Sequence, residues 1–140
     1  MNATEIQYAS LLEGLTDSLP RDCVWDEEGQ RVIFVTNPGE MGKIIGKGGE
    51  TIRRVREQFQ KDIDVVEYAA RPERFAINAL TPARIRKAEL EERGGKKVVH
   101  VTVFAREKGR VIGKGGRTID RARLLLKRHF DVEDIVISTE

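Results

Sequence analysis

The stretch GKIIGKGGETIRRVREQF at Gly42–Phe59 returns as GRVIGKGGRTIDRARLLL at Gly109–Leu126, 67 residues later. Across Gly42–Tyr68 and Gly109–Ile135, twelve of 27 positions are identical, among them Ile45/Ile112, Lys47/Lys114, Thr51/Thr118, Arg54/Arg121, Arg56/Arg123, Asp64/Asp131 and Val65/Val132. An internal repeat constrains a chain more than any other feature, because each copy must be one supersecondary unit. In 140 residues it leaves room for two units, expected at 1–70 and 71–140. Cores of that size are marginal alone, so the two halves are expected to pack together.

Each copy reads as a short apolar segment, a glycine turn and an amphipathic helix. Ile44 and Ile45, or Val111 and Ile112, run into Gly-Lys-Gly-Gly; apolar residues then recur at Ile52, Val55 and Phe59, or Ile119, Ala122 and Leu126. That is the spacing of one helix face. Three glycines in four positions permit positive φ and leave no Cβ to hold a ligand off the backbone. The turn delivers a helix N-terminus, whose unpaired N–H groups and dipole suit a phosphate. Lys47 and Lys114 add a full charge there.

Charge distribution agrees. The segments 42–61 and 109–129 carry +4 and +6, while the rest of the chain carries −8. Basic charge is therefore concentrated on two phosphate-shaped turns, a nucleic-acid footprint rather than a solvated helix face.

In chain order, Asn2 or Thr4 caps a first helix over about 4–15, with Thr4 and Gln7 as a candidate capping box. Cys23–Trp25 and Arg31–Thr36 read as strands around Glu27-Glu28-Gly29, and Ile63–Ala69 closes the first unit. Pro72 opens a helix with Phe75, Ala76, Ala79 and Leu80 on one face, and Thr81-Pro82 stops it. Arg84–Glu92, Lys97–Phe104 and Val132–Ser138 are the strands of the second unit. Both units thus follow the order helix, strand, strand, helix, glycine turn, helix, strand.

Gly46-Lys47-Gly48-Gly49 and Gly113-Lys114-Gly115-Gly116, each after isoleucine and before an amphipathic helix, resemble the GXXG loop of KH domains. KH domains clamp about four single-stranded nucleotides across that loop. A helix and strand ahead of the loop resemble the type II, prokaryotic arrangement. Two such units without a linker, with RPERFAINALTPARI opening the second, resemble the tandem KH pair of NusA-like transcription factors in its stand-alone archaeal form. The resemblance implies an α+β fold of two type II KH domains, each a three-stranded sheet with helices on one face. It also implies a role in transcription elongation, termination or antitermination.

The partner so implied is single-stranded RNA, a nascent transcript or an rRNA leader, and two juxtaposed clamps would span about eight nucleotides. RNA polymerase is a second candidate partner. The polymerase-binding and S1 domains of bacterial NusA have no counterpart in this sequence. An rRNA-processing or ribosome-assembly factor and a protein-docking scaffold are the competing readings. A monomer in the cytoplasm is expected: no apolar run approaches ~18 residues and no signal peptide is evident.

The RNA-binding candidates are Lys43, Ile45, Gly46, Lys47, Gly48, Gly49, Thr51 and Arg54, with Arg110, Ile112, Gly113, Lys114, Gly115, Gly116, Thr118 and Arg121. Ile45 and Ile112 read either as groove floor under the bases, with Val65 and Val132, or as core. Thr51 and Thr118 either donate to phosphate or support the first turn. Arg54 and Arg56, two apart and so about 200° apart on the helix, cannot both face one strand. Arg56 borders the apolar stripe, so Arg54 and Arg121 are the phosphate candidates. The loops carry no aromatic stacking residue, which sets aside an RRM-like platform.

Enzymatic readings fail on spacing. A P-loop needs four residues between its first glycine and Gly-Lys-Ser/Thr, and Lys47 and Lys114 are each followed by glycine. A dinucleotide fingerprint fails because Thr51 or Thr118 stands at its third glycine. His100 and His129 lie in unlike contexts and read as surface residues. Cys23 is the single cysteine, a buried free thiol without metal-ligand spacing. No catalytic group, metal or cofactor is expected.

Overall fold

A computed structural model describes all 140 residues, which divide into two compact units, Met1–Tyr68 and Ala69–Glu140. In the first unit, α1 (Ala3–Thr16) precedes the strands β1 (Asp22–Asp26) and β2 (Arg31–Thr36). Helices α2 (Met41–Ile45) and α3 (Glu50–Phe59) then flank the first glycine turn, and β3 (Asp62–Glu67) closes the unit. The second unit repeats the order with α4 (Pro72–Ala79), β4 (Lys87–Arg93), β5 (Lys96–Val103), α5 (Lys108–Ile112), α6 (Arg117–Phe130) and β6 (Asp134–Thr139).

The α1 cap is Asn2, whose side chain accepts from Glu5 N at 2.8 Å while Glu5 Oε1 accepts from Asn2 N at 2.9 Å. The capping box expected at Thr4 and Gln7 therefore lies two residues earlier. Glu5 is buried, and its second oxygen accepts from Trp25 N at 2.9 Å, fastening α1 to β1.

Each sheet has its second strand in the middle, antiparallel to the first and parallel to the third. In the first unit Cys23, Val32, Phe34 and Ile63 share one sheet face and form a single apolar core with Ala9 and Leu12 of α1, Ile44 of α2, and Ile52, Val55 and Phe59 of α3. Phe34 and Phe59 meet edge-on at 5.7 Å between centroids, a preferred aromatic geometry. In the second unit Val99, Val101 and Val103 alternate along β5, and α4 packs on α6 and on β4. Phe75 of α4 meets Phe130 and His129 edge-on at 5.8 and 5.4 Å. His129 is thus half-buried, not on the surface.

The repeat loses its register after the second helix of each cassette. Helix α3 has 10 residues and α6 has 14, so β6 begins 72 residues after β3 rather than 67. Asp131 is the left-handed C-cap of α6, at φ 56°, whereas Asp64 lies in β3 and pairs with Arg31. Val132 is buried ahead of β6, and the strand partner equivalent to Val65 is Ile137: Phe34 pairs with Val65 and Val101 with Ile137.

Candidate nucleic-acid interface

The two turns have the same backbone. Gly46 and Gly113 sit at φ/ψ 75°/172° and 78°/170°, Gly48 and Gly115 at 61°/20° and 65°/20°, and Gly49 and Gly116 at 77°/14° and 83°/8°. All six have positive φ, and the first glycine of each turn, Gly46 or Gly113, lies in a region reached essentially by glycine alone. Each turn is held by two internal hydrogen bonds, Gly46 N to Gly42 O at 2.9 Å and Gly49 N to Gly46 O at 3.1 Å, with the same pair at Gly113 and Gly116. The Lys47, Gly48, Lys114 and Gly115 N–H groups take no part in them. No side chain caps α3 or α6; the first N–H of each helix donates to the lysine carbonyl of the turn, Glu50 N to Lys47 O and Arg117 N to Lys114 O.

The glycines divide into two kinds. A Cβ on Gly46 would lie 2.7 Å from Thr51 Cβ and 2.9 Å from Thr51 N; on Gly113 it would lie 2.9 and 2.8 Å from the same atoms of Thr118. Thr51 and Thr118 therefore pack under the first glycine, which is the turn-supporting alternative of their two readings. A Cβ on Gly48 or Gly115 would meet nothing within 4 Å. That open ground is where a ligand could approach the backbone.

Lys47 and Lys114 are exposed and have no acid partner, which leaves their ammonium groups available beside the turn. Lys43 and Arg110 are also exposed but each is tied to an acid three residues earlier, Lys43 Nζ to Glu40 at 3.3 Å and Arg110 Nη1 to Glu107 at 3.2 Å. This repeated acid lies outside the glycine motif, although Glu40 and Glu107 stand 67 residues apart as the cassettes do.

The isoleucines next to the loop separate cleanly. Ile44 and Val111 are fully buried, whereas Ile45 is half-buried and Ile112 is 37% exposed. Ile45 and Val65 each pack against the first core from its margin, and α2 packs against β3. By strand register the position in the second unit that matches Val65 is Ile137, not Val132.

Arg54 and Arg121 part company. The Arg121 guanidinium donates to Ala79 O at 2.9 and 3.0 Å and to Thr81 O at 2.6 Å, closing the C-terminal end of α4. It is thereby a helix clamp within the second unit, a departure from the phosphate role expected of it. Arg54 is exposed and borders a cavity with Gly14, Leu15, Thr51, Glu57 and Gln58. Arg56 donates to Ile63 O at 3.3 Å and Arg123 pairs with Asp134 at 2.9 Å, so this pair ties each helix to its following strand.

His100 lies between two strands, with Nε2 2.6 Å from Ser138 Oγ and Nδ1 3.2 Å from Glu91 Oε1, and Glu91 also pairs with Arg93 at 2.7 Å. It forms a cross-strand polar ladder on β4, β5 and β6, where sequence alone showed an isolated histidine. No group of three or more His, Cys, Asp or Glu side chains could hold a metal ion, and no helix is long and apolar enough to cross a membrane.

Comparison with known proteins matches this geometry to a family. The model of the KH domain matches residues 6–70, and that of the NusA-like second KH domain matches residues 72–140. A "Probable transcription termination protein NusA" from Halococcus morrhuae is 34% identical over 138 residues, covering 99% of this chain and 97% of its own. The protein of the same name from Methanococcus vannielii is 32% identical over 98% of this chain and 78% of its own. The "Transcription termination/antitermination protein NusA" of Thermus thermophilus is 29% identical over 73% of this chain but only 26% of its own length. The crystal structure of APE1850, 39% identical, superposes with a TM-score of 0.88 over 99% of this chain and 100% of that one. With two tandem KH-type domains and relatives of this identity along nearly its whole length, the chain belongs to the NusA-like family of transcription termination proteins.

Proposed function

We propose that this protein binds single-stranded RNA without catalysing a reaction, each glycine loop clamping the backbone of about four nucleotides, and that it acts on nascent transcripts in transcription elongation and termination. The observation that carries the reading is the twice-built turn: central N–H groups left out of the turn's own hydrogen bonds, open ground over Gly48 and Gly115, and a lysine without an acid partner in the same place. A phosphate there receives charge-assisted hydrogen bonds from the backbone and from Lys47 or Lys114. Lys43 and Arg110 flank it with their charge partly offset by Glu40 and Glu107. The bases lie on the apolar shelf of Ile45 and Val65, or Ile112 and Ile137. Gly46, Gly113, Thr51 and Thr118 build the turn, Gly49 and Gly116 start the helices, and Arg54 contributes to the field. Arg121 holds α4 instead. The names of the relatives support the place in transcription.

The test is fluorescence anisotropy on short single-stranded RNAs over a salt series, with Lys47→Asp/Gly48→Asp, Lys114→Asp/Gly115→Asp and their combination. Each pair is expected to weaken binding, and the combination to abolish it with a flattened salt dependence. Folded variants that bind as the parent does would assign the loops to structure alone.

A further inference from the structure

The two units are near-copies at the loop but not at the segment leading into it, so the first unit serves as a control for the second. Arg106, Glu107, Lys108 and Arg110 stand 67 residues after Gly39, Glu40, Met41 and Lys43. The acid is common to both units and is held in both. Glu40 accepts from Ser18 Oγ at 3.1 Å, and Glu107, buried, accepts from Arg84 N at 2.8 Å. What differs is the charge gathered around it.

In the second unit Arg84, Arg106 and Arg110 line one cavity of about 350 Å³ with Glu107. Glu107 offsets one of the three arginines by pairing with Arg110 at 3.2 Å. Arg84 and Arg106 have no acid partner and are exposed. The Arg84 backbone N–H donates to Glu107, and the Arg106 guanidinium lies 4.6 Å from the Phe104 ring centroid. The other guanidinium on that ring, Arg86, is engaged by Glu140 at 3.3 Å. A cavity with surplus guanidinium charge suits a phosphate.

We infer that Arg84, Arg106 and Arg110 form a second phosphate site, peculiar to the second unit, that takes a backbone phosphate of the RNA strand next to the one held at Lys114–Gly116. The inference rests on the proposed clamp reading. Arg110 of the cavity lining lies in α5 itself, four residues before Lys114, and the five residues of that helix span about 7.5 Å. The clamp and the cavity thus share α5, and a strand followed along that helix from Lys114 meets Arg110. In the first unit the positions of Arg106 and Arg110 hold Gly39 and Lys43.

The experiment uses the full chain with the first clamp disabled by Lys47→Asp/Gly48→Asp, so that binding reports on the second unit. Arg84→Gln/Arg106→Gln is expected to weaken binding of 12-nucleotide single-stranded RNAs about 5- to 30-fold at low salt. The loss should be similar across unrelated sequences, and the salt slope should fall by about 0.7 for each phosphate no longer neutralised. Arg84→Lys/Arg106→Lys is expected to keep most of the slope, since it keeps the charge. If the Gln pair leaves affinity and slope unchanged while Lys114→Asp/Gly115→Asp destroys binding, the cavity is no phosphate site and the clamp reading stands. If the Lys pair loses the slope as fully as the Gln pair, the arginines act on the fold and the inference fails. If the clamp variant itself binds RNA normally, the proposed function fails first and takes this site with it.

Discussion

Gly46→Ala should cost the first unit more stability than any other single methyl group added in its loop. The backbone there, at φ/ψ 75°/172°, lies in the essentially glycine-only region, and holding alanine in it costs of order 1–3 kcal/mol. The new Cβ would also lie 2.7 Å from Thr51 Cβ and 2.9 Å from Thr51 N. Forcing extra volume against packed backbone adds about 1–3 kcal/mol, for a total of about 2–6 kcal/mol. A unit of this size is stable by only ~3–10 kcal/mol at typical values per residue. Gly48→Ala is the matched control: it too has positive φ, at 61°, but its Cβ meets nothing within 4 Å, so the left-handed penalty of about 1–2 kcal/mol stands alone. Urea unfolding of the full chain, followed by amide exchange to assign the loss to residues 1–68, measures both. Thr51→Ala should rescue Gly46→Ala only in part, because Thr51 Cβ and N remain. Equal destabilisation by the two alanines to within ~0.5 kcal/mol, or full rescue by Thr51→Ala, would refute the packing argument.

Arg121→Met should lower stability by about 1.5–3 kcal/mol through loss of charged hydrogen bonds to Ala79 and Thr81, while Arg54→Met costs under ~0.5 kcal/mol; equal urea midpoints would contradict this asymmetry. Arg31 is 2% exposed and pairs with Asp26 at 2.8 Å and Asp64 at 3.1 Å, so Arg31→Ala, which strands both carboxylates, should cost about 3–5 kcal/mol. The same substitution in an Asp26→Asn/Asp64→Asn background should cost clearly less, and an undiminished cost would remove charge as the cause. The Lys127 hydrogen bond and charge hold the Asp131 carboxyl below its ordinary value, and the Arg93 hydrogen bond does the same for Glu91. Depressed carboxyl values stabilise the fold above the unfolded-state value, and that contribution is lost as pH falls through the folded value, hence below about pH 4. Carboxyl NMR titration should show the Asp131 midpoint rise in Lys127→Met; an unmoved midpoint would dismiss Lys127 as its cause.

The sequence revealed most where a residue answers to its immediate neighbours. Glycine turns, the Pro72 helix start and the alternation of Val99, Val101 and Val103 are local, and they gave the element order of both units. Failures arose where distance along the chain stopped matching distance in space. Asp131 and Val132 looked like copies of Asp64 and Val65, but α6 runs four residues longer than α3 and the identities fall out of register. Arg121 looked like Arg54, because its partners Ala79 and Thr81 lie some 40 residues away and carbonyl acceptors leave no mark on side-chain patterns. His100 looked solitary for the same reason: Glu91 and Ser138 reach it only through strand pairing. The acid shared by Glu40 and Glu107 is visible in the repeat spacing, but it precedes the glycine motif and nothing in that motif points to it.

The loop glycines do not carry equal weight as evidence of function. Gly46 and Gly113 are required by the fold, since Thr51 and Thr118 occupy the space a Cβ would need, and their presence would be the same in a turn that bound nothing. Gly48 and Gly115 touch nothing. Their left-handed backbone is one that asparagine or aspartate also tolerates at modest cost, so packing does not demand glycine there. A ligand that must reach the Lys47, Gly48, Lys114 and Gly115 amides does demand it, because any side chain would stand in the approach. The lysine before each of these glycines follows the same logic, exposed and unpaired where Lys43 and Arg110 three residues before the loop are each matched by an acid. On the proposed clamp reading, RNA therefore makes its demand on the two residues in each loop that the fold leaves idle.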